Sequence, residues 1–167
     1  MGVRIRTMQP EDWQAVAAIY LEGIQTGVAT FQTEAPAWEA WDEGHLKGCR
    51  LVAIDEDEKV IGWVALSAVS GRCVYKGVAE VSIYVGKDSR GKGVGKLLLE
   101  ELIRQSEDEG IWTIQAGVFA NNTASLNLHL QVGFKKVGVR ERIGRTVSGK
   151  WQDTVLLERR SDVVGID

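Results

Sequence analysis

The sequence of 167 residues predicts one mixed α/β domain. Three observations lead to this prediction. Val78–Val85 alternates apolar and polar side chains, as a half-buried strand does. A glycine-rich turn follows, and beyond it apolar residues recur at helical spacing. Strand and helix patterns then continue to alternate without a linker or repeat, so we expect a single domain over residues 1–167, with a short flexible tail from about residue 160.

The N-terminal part of the chain predicts a short strand and then an amphipathic helix. Residues 3–6 alternate apolar and basic side chains, which is typical of a strand. Pro10, followed by two acidic residues, marks a helix start. Apolar residues recur at spacings of three and four from Trp13 to Ile24, which predicts one apolar face. Gly27 is expected to end this helix.

A second, shorter helix and two strands are predicted next. The helix is expected to carry three apolar residues, Trp38, Trp41 and Leu46. Residues 51–54 and 60–66 have the apolar composition of strands, and four acidic residues separate them as a solvated turn. The alternating strand already described comes after a further loop.

The second half of the chain predicts a long helix, a strand, a helix and a final strand pair. The long helix should stop near Gly110. Its apolar face is predicted to consist of Val94, Leu97, Leu98, Leu102 and Ile103. Residues 112–119 predict a strand, and Asn122 supplies the cap of the next helix. The last two strands are predicted over residues 134–143 and 151–157.

The composition argues against several classes of protein. A net charge of -3 gives no indication of a nucleic-acid-binding surface. No apolar run approaches the roughly 20 residues that span a bilayer, and the N-terminus lacks the apolar core of a signal peptide. Cys49 and Cys73 have no spacing typical of a disulfide framework or a zinc site. We therefore expect a cytoplasmic protein with no metal, no membrane partner and no nucleic-acid partner.

The turn after the alternating strand has the chemistry of an anion site. Its three glycines stand at alternate positions, Gly91, Gly93 and Gly95. Glycine allows close approach of the backbone to a ligand, and free N–H groups at a helix start bind anions. Three cationic side chains accompany the glycines. The spacing fits neither a P-loop nor a dinucleotide fingerprint. A pyrophosphate is the predicted ligand, and the alternative is a glycine-rich helix entrance without one.

These residues also carry a family resemblance. The turn Arg90-Gly91-Lys92-Gly93-Val94-Gly95 resembles the Gln/Arg-x-x-Gly-x-Gly/Ala acetyl-CoA signature of the GNAT acetyltransferases. A second family signature is similar to residues 122–125, 128–129 and 133–134. Within the family, the chain most resembles the phosphinothricin and methionine sulfoximine N-acetyltransferase branch. That closer match consists of residues 29–31, 80–85 and 149–153. The resemblance covers nearly the whole chain.

The resemblance implies a fold and a way of binding acetyl-CoA. The fold is a mixed, mostly antiparallel central sheet of about seven strands, flanked by about four helices and splayed at the acetyl-CoA site. The strand expected to pair with pantetheine contains Ile83, Tyr84 and Val85. The pyrophosphate is expected at Arg90, Gly91, Lys92, Gly93, Val94, Gly95 and Lys96. Further contacts with CoA are implied for Asn122, Ser125 and His129. A homodimer is also expected, with Trp151 and Asp153 either at its surface or closing the pocket.

Two of these positions are candidates for acid–base chemistry. An attacking amine must be uncharged, and an α-amine with a pKa near 8 is about one-tenth neutral at pH 7. Glu80 is the predicted base, acting directly or through a water. It could equally hold the ammonium before the proton leaves, or be a solvent-facing strand residue. His129 stands where many members have a tyrosine that protonates the thiolate, and its alternatives are a CoA contact or a helix-surface histidine.

Substrate recognition is predicted from loops. Arg72 could form a two-point contact with a carboxylate. Cys73, Val74 and Tyr75 accompany it, and Phe31 matches a family substrate position, with core packing as the alternative. The predicted acceptor is a free amino acid or analogue such as phosphinothricin, methionine sulfoximine or methionine sulfone, which receives acetyl directly in a ternary complex. The alternatives are acetylation of a protein N-terminus or a polyamine, and a CoA-binding sensor without turnover.

Overall fold

The computed structural model describes residues 2–167. The strands are β1 (Arg4–Thr7), β2 (Leu51–Ile54), β3 (Val60–Ala68), β4 (Val78–Val85), β5 (Thr113–Phe119), β6 (Lys135–Arg145) and β7 (Trp151–Arg160). The α-helices are α1 (Trp13–Gln25), α2 (Trp38–Gly44), α3 (Val94–Asp108) and α4 (Thr123–Gln131). The predicted numbers of strands and helices are confirmed. Each of the helices within residues 2–167 is too short or too polar to cross a bilayer.

The seven strands form one sheet in the order β1-β2-β3-β4-β5-β7-β6. Every neighbouring pair is antiparallel except β4 and β5, which run parallel. The parallel pairing covers three positions and ends where Glu80 faces Gln115. Beyond this point β4 stays paired with β3 as far as Val85, while β5 diverges from it. The predicted mostly antiparallel sheet and its splay are therefore confirmed.

The two faces of the sheet bury different helices. On one face α3 packs its apolar side against β2, β3, β4 and β5, with Leu98, Leu99 and Leu102 fully buried. On the other face α1 and α2 cover β2 and β3 with a cluster that includes Trp41 and Trp63. This second cluster does not extend to β5, β6 and β7. Within the described residues, the face that bears Glu80 is therefore not covered by a helix over the second half of the sheet.

Two predicted apolar positions are wrong in detail. Leu46 lies outside α2, because its backbone N–H donates to Leu66 O at 2.8 Å and so joins the end of β3 instead of continuing a helix. Leu97 is 44% exposed, and Leu99 is buried in its place. Successive helical residues are turned by about 100°, so three leucines in a row cannot all face the core.

The C-terminal segment makes specific contacts beyond β7. Ser161 is buried, and its Oγ donates to Glu107 Oε2 at 2.6 Å. Arg160 donates to backbone oxygens of Ser161, Val164 and Gly165. These contacts hold the segment that directly follows β7. The flexibility predicted for the tail stays a prediction.

An ion pair near the N-terminus gives a stability prediction. Asp12 is buried, and its carboxylate accepts from Arg6 Nη1 at 2.8 Å, from Arg6 Nη2 at 2.9 Å and from Gln9 N at 2.7 Å. We expect Asp12→Asn to lower the free energy of unfolding at pH 7 by about 1–2 kcal/mol. This expected loss lies at the low end of the range for hydrogen bonds to charged groups, because the Arg6 side chain is 38% exposed. Urea unfolding measures it.

The dependence on pH separates this charge effect from packing. The hydrogen bonds from Arg6 hold the pKa of Asp12 below its ordinary value. The stabilisation is therefore complete above the unfolded-state pKa of about 4 and is lost as pH falls through the lower folded-state value. The difference between Asp12→Asn and wild type should shrink at strongly acidic pH. Asp57→Asn, in the exposed β2–β3 turn, is the control. A deficit that does not change with pH would contradict the assignment.

Candidate active site

The splay between β4 and β5 opens a cavity of about 880 Å³. The turn that leads into α3 and the first residues of α3 form one wall, and α4 forms another. The strand residues that line it are Glu80, Val81, Ser82, Ile83, Tyr84 and Val85 of β4 and Ala116, Gly117 and Val118 of β5. Because β5 has diverged, the β4 backbone edge that faces the cavity has no strand partner among residues 2–167. An extended ligand with amide groups could pair with this edge.

The backbone of the turn requires glycine for two different reasons. Gly93 is the N-cap of α3 and has φ 84°, in the left-handed region that side chains disfavour. Gly95 lies in the first turn of α3, where an added Cβ would come within 2.9 Å of Leu128 Cδ2. Gly95 thus allows α4 to approach α3. The first N–H groups of α3 have no intrahelical acceptor. They are available to an anion in the cavity, as a pyrophosphate requires.

The three cations predicted for the pyrophosphate occupy different places. Arg90 and Lys96 line the cavity. Arg90 is partly tied, because its Nε donates to Val85 O at 3.2 Å. Lys92 does not line the cavity, and its Nζ donates to Asp88 O at 3.1 Å. The positive charge that a pyrophosphate would meet at the turn therefore comes mainly from Arg90 and Lys96 and from the partial charge at the start of α3.

The start of α4 brings the other predicted cofactor contacts to the cavity. Asn122 caps the helix, since its Oδ1 accepts from Ser125 N at 3.2 Å, and its Nδ2 donates to Val28 O at 3.3 Å. His129 is buried, and its Nδ1 lies 2.7 Å from Ser125 O. A carbonyl only accepts, so Nδ1 carries the proton in this bond. Burial lowers the pKa of His129, which favours the neutral ring and leaves Nε2 without a proton to donate.

Tyr84 fixes the position of the β4 strand from its other face. Its ring stacks on Trp63 with centroids 5.1 Å apart and lies 4.8 Å from the ring of Tyr20. Burial, and then the neighbouring Tyr20, raises the pKa of the Tyr84 hydroxyl well above its ordinary value. The hydroxyl therefore stays protonated at neutral pH, and the side chain anchors the strand while its backbone remains beside the cavity.

Glu80 lies at the end of the parallel pairing between β4 and β5. Its Oε1 accepts from Gln115 Nε2 at 2.8 Å, which holds the carboxylate in place. Glu80 lines both the large cavity and a second cavity of about 260 Å³. The second cavity is lined by Thr30, Phe31, Glu80, Gln115, Gly117, Phe119, Arg140, Ile143, Thr154 and Leu156. A carboxylate at this junction could take a proton from a group that reaches across it.

The predicted substrate residues separate into two groups. Phe31 lines the second cavity with Glu80, and its ring lies 4.6 Å from that of Phe119. The loop over residues 72–75 lines neither cavity, and the guanidinium of Arg72 lies over the ring of Tyr75 at 5.6 Å. Within one chain the structure therefore brings Phe31 and Glu80 together without residues 72–75.

The pair predicted near the C-terminus lies beside the β6–β7 turn. Trp151 is 55% exposed, and the guanidinium of Arg145 lies 4.7 Å from its ring. Asp153 Oδ1 accepts from Arg142 N at 2.7 Å. Asp153 therefore fixes the backbone of β6 where the strand is irregular.

Several residues that line the second cavity were not singled out by sequence reasoning, and Gln115, Phe119 and Arg140 are the largest polar or aromatic ones among them. A signal existed for the first two. In β5 the core residues beneath α3 stand at alternate positions, so Gln115 and Phe119, which lie between or directly after them, share the face of Glu80. No comparable signal marks Arg140, since every residue of β6 is at least partly exposed. Residues 2–167 contain no group of three His, Cys, Asp or Glu side chains that could hold a metal ion.

Comparisons with known proteins agree with this geometry. The model of the acetyltransferase (GNAT) family matches residues 13–134. A phosphinothricin N-acetyltransferase from Alcaligenes faecalis is 32% identical over 166 residues, covering 93% of this chain and 81% of the relative. An L-methionine sulfoximine/L-methionine sulfone acetyltransferase from Pseudomonas aeruginosa is 30% identical over 168 residues, covering 97% of this chain and 96% of the relative.

A solved structure is also similar. The phosphinothricin acetyltransferase of Sinorhizobium meliloti, crystallised in complex with acetyl-CoA, superimposes with a TM-score of 0.86 at 30% identity. The similarity covers 100% of this chain and 97% of the other.

Proposed function

The chain belongs to the acetyltransferase (GNAT) family, and we propose that it transfers acetyl from acetyl-CoA to the α-amine of a small amino acid or amino-acid analogue. One observation carries this proposal. Glu80 lines both the large cavity in the splay and the smaller cavity beside it, so a thioester in one and an amine in the other would meet at a carboxylate. Relatives whose names specify phosphinothricin and methionine sulfoximine or sulfone support this acceptor class.

The residues of the large cavity fit acetyl-CoA in three places. In this proposal the free β4 edge at Ile83, Tyr84 and Val85 pairs with the pantetheine amides. The turn from Arg90 to Lys96 holds the pyrophosphate with its N–H groups and cations, as the backbone geometry allows. Contacts from α4 come from Asn122, Ser125 and His129, which all line this cavity.

The proposed reaction is direct transfer within a ternary complex. The amine nitrogen bonds to the thioester carbonyl carbon, and the carbon–sulfur bond breaks. The proton of the amine passes to Glu80, directly or through a water, and the electron pair leaves with sulfur. A thiol with a pKa of about 8.5 needs little protonation to leave near neutral pH, so the proton-free Nε2 of His129 is compatible with this step. Holding both reactants together supplies most of the advantage.

Residues 72–75 need a further condition for the substrate role predicted for them. They line neither cavity of a single chain, so a second protomer would have to bring the guanidinium of Arg72, with Cys73, Val74 and Tyr75, to the acceptor. That role stays a prediction, and so does the location of the protein in the cytoplasm.

The test of the proposed function is release of free thiol from acetyl-CoA in the presence of different amines. The panel contains amino acids, phosphinothricin, methionine sulfoximine, methionine sulfone, polyamines and a peptide with a free N-terminus. Turnover with amines that bear a carboxylate is the expected result. Turnover confined to polyamines or peptides would overturn the proposed acceptor class. Binding of acetyl-CoA with no thiol release for any amine would favour a sensor.

We also propose a homodimer. The strand β6 is at the edge of the sheet, and it exposes the apolar side chains of Val137 and Val139, which are 52% and 50% exposed. An exposed apolar edge strand commonly pairs with another chain. Sedimentation velocity should give a dimer for the wild type and a monomer for Val139→Asp. The control is Leu21→Asp, which changes an exposed apolar residue of α1, at 42% exposure. A wild type that sediments as a monomer would exclude this interface.

A further inference from the structure

Arg140 is the one cation among the described residues that line the second cavity. Its side chain makes no hydrogen bond and no ion pair with any residue of 2–167. The neighbouring arginines of β6 are engaged elsewhere. Arg142 lies 3.5 Å from Glu141 Oε1, and Arg145 lies over the ring of Trp151. Arg140 alone therefore presents an uncommitted guanidinium to the cavity.

Glu80 and Arg140 stand at opposite ends of this cavity. They belong to β4 and β6, which are three strand spacings apart in the sheet order, or about 14 Å, and the register also offsets Arg140 from Glu80 by about four residues along the strands. Residues Gly117 and Leu156 face each other between them and form part of the cavity floor. An α-amino acid carries its amine and its α-carboxylate on the same carbon. The end of its side chain lies further from the amine, so with the amine at Glu80 we expect the side chain, and not the α-carboxylate, to extend towards Arg140.

The walls between the two charges suit a short hydrocarbon chain. The rings of Phe31 and Phe119 and the side chains of Ile143 and Leu156 are apolar, and all four line the cavity. Thr154 is paired with Arg140 across β6 and β7 and adds a hydroxyl close to the guanidinium. The cavity thus offers a carboxylate at one end, an apolar middle and a cation at the other end. This pattern is complementary to an amine joined by methylene groups to an anion.

We infer that the acceptor carries a second anionic group at the far end of its side chain, and that Arg140 binds this group. The inference rests on the proposed function. The anion is a carboxylate, a phosphinate or a phosphonate, all of which a guanidinium can bind through two hydrogen bonds. Arg140 therefore determines specificity between two kinds of acceptor that the named relatives use. Phosphinothricin bears a side-chain phosphinate, whereas methionine sulfone bears an uncharged sulfone.

The test compares acceptors that are matched in length and differ in the charge of the distal group. The pairs are glutamate with glutamine and phosphinothricin with methionine sulfone. For the wild type, we expect kcat/KM to favour the anionic member of each pair by about tenfold or more. In Arg140→Gln, KM for the anionic member should rise about tenfold, while kcat and the values for the neutral member change little. Arg142→Gln, on the same strand and outside both cavities, should retain the wild-type preference.

Each other outcome is decisive. An equal loss for both members of a pair would place the α-carboxylate at Arg140 and overturn the inference. An unchanged preference in Arg140→Gln would also overturn it while leaving the proposed function intact. If the wild type releases no thiol with any amine, the proposed function fails and the inference fails with it. A thermal melt and calorimetric titration of Arg140→Gln with acetyl-CoA show whether the variant is folded, so an unfolded variant is replaced by Arg140→Lys. This variant keeps the charge and should keep the preference for the anion.

Discussion

Glu80→Gln should lower kcat about 100-fold at pH 7, while acetyl-CoA binding changes little. A positioned general base contributes roughly 10²–10⁴-fold. We expect the lower limit, because a part of the α-amine is already neutral at this pH and can react without a base. A glutamine can still accept the hydrogen bond that Gln115 Nε2 donates, so the side chain should stay in place. Steady-state rates with a saturating amino-acid acceptor measure the effect.

The pH profile distinguishes a base from a residue that only holds the ammonium. Above the pKa of the acceptor's α-amine most of that amine is neutral, so the base contributes less and the deficit in kcat of Glu80→Gln should shrink at alkaline pH. A deficit that persists at high pH would instead indicate positioning. Glu158→Gln is the matched control, since Glu158 pairs with Gln115 from the opposite strand and lines neither cavity. If Glu80→Gln had the wild-type kcat, the assignment of Glu80 as the general base would be wrong.

The second large effect is expected at the turn before α3. Gly93→Val should weaken acetyl-CoA binding about 100-fold, because it disturbs several N–H groups whose charged hydrogen bonds are each worth about 1.5–3 kcal/mol. The cause is the left-handed φ of 84° at the N-cap, which a β-branched residue strongly disfavours. Isothermal titration calorimetry measures the dissociation constant. Thermal unfolding measures the accompanying loss of stability, which should be small beside the loss of binding.

Gly71→Val provides the comparison. Gly71 lies in the exposed β3–β4 loop, where an added Cβ would meet no atom within 4 Å and φ is not in the left-handed region. This variant should bind acetyl-CoA like the wild type. Equal affinity of Gly93→Val and wild type would mean that the backbone of the turn does not bind the cosubstrate.

The elements around the large cavity were predictable because their patterns are local. The alternation in Val78–Val85 predicted β4 with the bounds that the structure has. The glycines of the turn gave the strand-to-helix connection, and Asn122 gave the cap of α4. Each of these signals depends on the conformation of a few consecutive residues. Tertiary contacts were not needed to interpret them.

The second cavity depends on contacts that no local pattern specifies. β6 contains register irregularities between Lys136 and Gly138 and between Arg140 and Gly144. Bulges of this kind turn side chains away from strict alternation, so the sequence does not indicate that Arg140 lines the same cavity as Glu80. Arg72 shows the converse difficulty. Its charge and loop position suggested a carboxylate contact, whereas the fold places it outside both cavities of one chain.

The two blocks of the sheet, β1 to β4 and β5 to β7, share a seam of three residue pairs that ends at Glu80 and Gln115. Each block is internally paired along its length by antiparallel ladders. If two or three further residue pairs of β4 and β5 extended this seam, the domain would gain backbone hydrogen bonds and stability. The same change would close the cavity in which, in the proposed reaction, thioester and amine meet. The incomplete pairing of the sheet is thus a feature in which stability is lost in exchange for a site that catalysis needs.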